Sequence, residues 1–169
     1  MVERSHVIRH RILPIIAAAI IIAIALTLLF SYTSLTGPFQ TSESTYVGKL
    51  STVINEMRTI DFNERQTLQN WQSDKLTSDE VVSELTSLQA ERLQVRSNLN
   101  SLTPQETFRE IHQDISDANE LWITANDGYL QGIIQNNSNI IADADTKEKS
   151  ANQTFNSAIE KLGILGYDI

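Results

Sequence analysis

The sequence predicts an all-α protein: a single N-terminal transmembrane helix followed by an antiparallel four-helix bundle in up-down-up-down order. Three observations predict it. Residues 12–30, ILPIIAAAIIIAIALTLLF, carry no charge. Four later stretches repeat apolar residues at alternating steps of three and four, the spacing of a helix with one buried stripe. No stretch sustains the every-second-residue alternation of a strand.

The apolar run comes first. Nineteen residues at about 1.5 Å each give a helix of roughly 28 Å, near the hydrocarbon thickness of a bilayer. Arg4, Arg9 and Arg11 precede it, and the next basic residue is Lys49. The positive-inside rule then makes residues 1–11 a cytoplasmic basic tail and puts residues 31–169 outside. The expected location is the cytoplasmic membrane, single-pass, with the N-terminus inside and the bilayer as a partner through residues 12–30. The run is longer than a signal-peptide core. Its small-x-small triplets, Ala17-Ala18-Ala19 and Ala23-Ile24-Ala25, lie inside it rather than after it. An uncleaved signal anchor is therefore expected. Pro14 falls in the first turn, where its missing N–H costs little. Phe30 and Tyr32 suit the outer interface.

Residues 31–42 contain Thr36-Gly37-Pro38 and little apolar periodicity, and read as a linker. Residues 43–169 read as the extracytoplasmic bundle. Its first stripe is Tyr46, Leu50, Val53, Met57, Ile60, Leu68 and Trp71, interrupted by Glu64, with a bend expected at Asp61-Phe62-Asn63. Leu76-Thr77-Ser78-Asp79-Glu80-Val81 is a capping box flanked by a hydrophobic staple, so a helix starts there. Its stripe is Val81, Leu85, Leu88, Val95, Leu99 and Leu102, with Arg92 standing where an apolar residue is expected. Thr103-Pro104-Gln105-Glu106 carries a second start signal. Phe108, Ile111, Ile115, Ala118, Trp122, Ala125 and Tyr129 follow, and their rhythm runs unbroken through the turn-prone Asn126-Asp127-Gly128. Asn136-Asn137-Ser138-Asn139 caps a last helix carrying Ile141, Ala144, Ala151, Phe155, Ala158, Leu162 and Leu165. Gly163 or Gly166 is positioned to end it.

Composition narrows the function. Between residues 31 and 169 the acidic residues outnumber Lys and Arg by 20 to 10. An acidic domain repels phosphate backbones, so no nucleic-acid partner is expected. The chain has no cysteine, which excludes disulfides, thiolate metal sites and c-type haem attachment. A disulfide-free external domain fits a prokaryotic surface protein.

Candidate sites are sparse. His112 is the one histidine beyond the apolar run, and the residue three before it is Arg109, so the Glu-x-x-His motif of di-iron bundles is missing. Met57 and His112 fall at similar heights, but packing explains both. His6 and His10 lie among arginines that oppose a cation. Asp143 and Asp145 have the spacing that opens a calcium loop, but Lys147 and Glu148 stand where further ligands belong. No metal, cofactor or catalytic residue is expected, and the protein is not read as an enzyme. Asn136 and Asn152 begin Asn-x-Ser/Thr sequons and are candidate glycosylation sites. Gly128 and Gly132 form a Gly-x3-Gly spacing that admits a closely packed neighbour helix or marks a weak one.

The arrangement resembles small single-span extracytoplasmic helical proteins and four-helix sensor ectodomains, and no motif carries a residue role across. The leading expectation is a membrane-anchored extracytoplasmic interaction module, extending to an accessory subunit of a larger membrane protein complex. Its partner is then another membrane or surface protein. The alternative is a ligand-binding sensor ectodomain signalling through a separate partner, which leaves a small-molecule ligand open.

Overall fold

The computed structural model describes residues 43–169, which form four α-helices and no strand. These are α1 (Glu43–Gln72), α2 (Ser78–Asn100), α3 (Arg109–Ile134) and α4 (Ser138–Ile164), with a 3-10 turn, Glu106–Phe108, leading into α3. The basic tail, the apolar run and the linker lie outside the described residues. None of the described helices is long and apolar enough to cross a membrane.

Named contacts fix how the helices run. Thr67 meets Glu84, Glu64 meets Arg92 and Glu56 meets Asn98, so α1 and α2 are antiparallel. Asn126 and Asn119 of α3 donate to the carbonyls of Leu85 and Arg92 on α2. Tyr129 meets Asp145, Trp122 meets Phe155 and Asp114 meets Lys161 between α3 and α4. Glu43 bonds Tyr167, and the Arg58 guanidinium lies 6.0 Å from the Phe155 ring centre, which joins α4 back to α1. The start of α1 and residues 162–169 therefore share one end of the domain.

Most of the buried residues are those the periodicity predicts, with Trp71 and Ile141 only partly buried. Tyr46, Leu50, Val53, Met57, Ile60 and Leu68 are buried on α1, and Val81, Leu85, Leu88, Val95 and Leu99 on α2. On α3 and α4, small residues recur every seventh position. Ala118, Ala125 and Gly132 face inward on α3, and Ala144, Ala151 and Ala158 on α4. A repeat of seven keeps one face on the neighbour, and small side chains let two backbones approach. This pair makes the most extensive close approach in the domain.

The helix ends follow local chemistry. Thr77 Oγ1 accepts from the Glu80 N–H, and Glu80 Oε2 accepts from the Thr77 N–H at 2.8 Å, completing the capping box. The bond from Thr77 holds the Glu80 carboxyl below its usual range. Three helices end in Schellman motifs, with Asp74, Asn136 and Gly166 in the left-handed region. Lys75 donates to Asn70, Asn137 to Gly132 and Tyr167 to Leu162, each closing the six-to-one bond of that motif.

Three local expectations need correction. Thr103 does not cap the third helix. The chain is irregular through residues 102–105, Gln105 precedes a 3-10 turn, and the N-cap of α3 itself is Phe108. That turn seats Phe108 between Tyr46 and Tyr167, at ring distances of 5.3 and 5.5 Å, so aromatic burial overrides the capping signal. Leu102 accordingly lies beyond α2, partly buried. Asp61-Phe62-Asn63 does not break α1, which runs unbroken from Glu43 to Gln72. Leu165, expected on the last buried stripe, is instead the C-cap beyond α4 and is 42% exposed, because the helix stops at Ile164 ahead of the left-handed Gly166.

Candidate functional site

Charges are costly to bury unless paired, yet the middle of this domain holds several. Arg92 and Glu64, the two interruptions of the apolar stripes, are fully buried and bonded to each other. Arg92 Nε and Nη2 donate to Glu64 Oε2 at 3.0 and 2.6 Å. The Trp122 ring lies against the guanidinium, 4.9 Å from its centre, adding a cation–π contact. Burial raises the Glu64 carboxyl above its usual range, and Arg92 draws it part of the way back. Glu64 Oε1, Arg92 Nη1 and Trp122 Nε1 have no protein partner.

This polar interior continues outward between α1 and α4. The Tyr129 hydroxyl lies 2.7 Å from Asp145 Oδ1 and 2.6 Å from Glu148 Oε2. Its single hydrogen serves one carboxylate at a time. Burial and then these two acceptors push the tyrosine far above its usual value. Asp61, on the same side of α1, bonds the exposed Arg65. Burial raises the Asp61 carboxyl, with Arg65 and Arg92 opposing and Glu148 adding to the rise. Glu148 also acts on Glu64, so the buried pair and the α1/α4 carboxylates form one electrostatic group.

Three grooves open beside α1. One of about 420 Å³, between α1 and α4, is lined by Phe62, Arg65, Gln66, Tyr129, Asp145 and Glu148 among others. A second of about 380 Å³ lies across α1, between it and α2, and shares Phe62 and Gln66 with the first. Phe62 stands between them with 58% of its surface exposed. The third and largest, about 550 Å³, also lies between α1 and α2, over Ile60 and Val95, with Asn55, Glu56, Gln94 and Asn98 on its walls.

The residues singled out from the sequence are placed as follows. A Cβ at Gly128 would lie 2.9 Å from Ala144 Cβ, and one at Gly132 only 2.5 Å from Ile141 Cγ1, so both glycines lie where α4 comes closest. Asn136 is exposed on the α3–α4 turn. Asn152 is half-buried inside α4, and its sequon partner Thr154 donates to the Ser150 carbonyl. His112 Nδ1 is 3.1 Å from the Tyr46 hydroxyl, and Met57 is buried in the core. Asp143 pairs with Lys147 while Asp145 turns to Tyr129, so the two aspartates do not converge. Among the described residues, no group of three His, Cys, Asp or Glu side chains could hold a metal ion. His6 and His10 lie outside the described residues.

Sequence reasoning missed the polar group and the α1/α4 groove. Glu64 and Arg92 were visible as two misfits, but their pairing depends on the register between α1 and α2. Phe62, an aromatic residue off every stripe, was a signal for an exposed ridge. The chain matches no protein-family model, no curated protein and no solved structure.

Proposed function

We propose that the protein is a membrane-anchored helical interaction module, held outside the cytoplasmic membrane by residues 12–30 and acting through contacts of residues 43–169 with another membrane or surface protein. One observation carries this reading. An uncharged run of bilayer length, with arginines on its N-terminal side alone, precedes four mutually packed helices. The end of the domain that receives the linker is also the end to which residues 162–169 return. Anchoring concentrates such a module beside a membrane partner without any new contact.

The test is topology together with exchange of the span. Protease added outside intact cells should degrade residues 31–169, and the mature chain should keep residues 12–30. Replacing residues 12–30 with an unrelated apolar span of equal length should preserve recovery of the partner. Protection of the domain overturns the orientation. Loss of the partner on exchange moves recognition into the span.

A second reading, the ligand-binding sensor ectodomain, is favoured by the 550 Å³ groove between α1 and α2, whose size suits a small molecule. A small molecule that co-purifies with the chain, and is lost on Asn55→Leu, would favour it.

A further inference from the structure

We infer that the face centred on Phe62 is a docking surface for a protein segment that presents a lysine or arginine beside an apolar contact. This rests on reading the chain as an interaction module, and names the surface that module uses.

The argument starts from Phe62 itself. Exposed Ile134, Ile164 and Leu165 stand at helix ends and Leu93 is 39% exposed within α2, whereas the aromatic Phe62 stands in the middle of an unbroken helix with 58% of its surface in water. It forms the ridge between two grooves of about 420 and 380 Å³. Protein interfaces concentrate their binding energy in such aromatic anchors set within close-fitting surroundings.

Charge then selects the occupant. The two grooves are lined by the carboxylates of Asp145, Glu148 and Glu84. Arg65 is the one basic residue on their walls, and Asp61 already holds it. Glu84 accepts from Thr67 at 2.7 Å, which leaves its charge uncompensated. Tyr129 can give its hydrogen to only one of Asp145 and Glu148 at a time, so the other keeps full acceptor capacity for an incoming N–H. An ammonium or guanidinium here meets carboxylates on one side and the Phe62 ring on the other, an ion pair and a cation–π contact together. An acidic partner segment would be repelled.

The experiment uses the full chain in its native membrane. A photoreactive benzophenone amino acid replaces Phe62, or, as a control on the exposed outer side of α3, Asp117. The expected result is a discrete polypeptide adduct from position 62 and none from position 117. The cross-linked peptide should contain Lys or Arg. Combining Asp145→Asn with Glu148→Gln should lower the yield by about threefold or more, and raising the salt should lower it for the unaltered carboxylates. A second reporter at Gln66 should lose its adduct on Phe62→Ala, which keeps the test valid if the carboxylate variant folds poorly. Lipid-only adducts, no adduct at 62, equal adducts at 117, a cross-linked peptide without a basic residue, or a yield indifferent to both variants would each overturn the inference. Carbonate washing of the same membranes separates it from the anchoring reading. A chain washed free that still gives the charge-dependent adduct loses the anchor and keeps the docking surface. A retained chain without the adduct loses the docking surface alone.

Discussion

The α3/α4 contact and the α1/α4 contact close the same four-helix arrangement by opposite means. Between α3 and α4, Gly128, Gly132 and Ala144 bring the backbones so near that an added methyl has no room. Between α1 and α4, Tyr129, Asp145, Glu148 and Arg65 line a groove of about 420 Å³. Small residues recurring every seven positions remove the space between helices. Long polar residues hold helices apart and leave an opening. One side of the domain is thus built to stay shut, and the other keeps polar groups and an aromatic ridge within reach of a partner. Trp122 joins the two halves, with Arg92 against its ring and Phe155 at 5.2 Å.

The largest expected effects test that junction and the buried charges beside it. Trp122→Ala should cost about 3–5 kcal/mol in denaturant unfolding, through lost burial and the cavity it leaves. A cost below about 1 kcal/mol would mean that the two halves are not coupled through this ring. Arg92→Ala should cost a similar ~3–5 kcal/mol by stranding the Glu64 carboxylate in the interior. Replacing both, with Arg92→Met and Glu64→Leu, should recover most of that loss. If the double variant is as unstable as the single one, the pair is not the reason for the cost.

Next comes the shut side. Gly132→Ala should cost about 1–3 kcal/mol, because the new methyl meets Ile141 and the backbone of Asn137. Gly163→Ala, on the same pair of helices but with nothing within 4 Å, should instead stabilise by up to about 1 kcal/mol through helix propensity. Equal effects from both would show that propensity, and not close approach, governs this contact.

The smallest effect is one of pH. Burial holds the His112 imidazole below its usual value of 6.5, so the unfolded chain takes up a proton before the folded one does. Stability from this group is complete above pH 6.5 and is lost as pH falls through the lowered folded value. His112→Gln should flatten that segment of a stability–pH curve. Asp61 and Glu64, raised by burial, act in the opposite sense, so it is the loss of slope on His112→Gln that identifies the contribution of His112.

Much of this was legible because helix periodicity needs only local spacing. The four stripes, the Thr77–Glu80 box, the continuity of α3 through Asn126-Asp127-Gly128 and the burial of Trp122 all follow from residues within a few turns of one another. Asn126 stays helical because its side chain bonds the Leu85 carbonyl, and Gly128 because it faces Ala144. What could not be read depended on register between distant segments. Glu64 and Arg92 are 28 residues apart and explain each other only once α1 and α2 are aligned. The Thr103 signal failed for a related reason: Tyr46 and Tyr167, far away in the chain, claim Phe108. The recurrence of small residues at Ala118, Ala125 and Gly132, and at Ala144, Ala151 and Ala158, was present in the sequence. Read as a pair of sevenfold repeats, it marks α3 and α4 as the close pair.

The separation of a shut side from an open one is tested most directly by thermal unfolding of Gly132→Ala and Phe62→Ala side by side. Gly132→Ala should lower the melting temperature by about 3–10 °C. Phe62→Ala should leave it within about 2 °C, as befits a side chain with 58% of its surface exposed and outside the hydrophobic core. A loss at Phe62 as large as that at Gly132 would contradict the account, because the ridge would then be part of what holds the helices together.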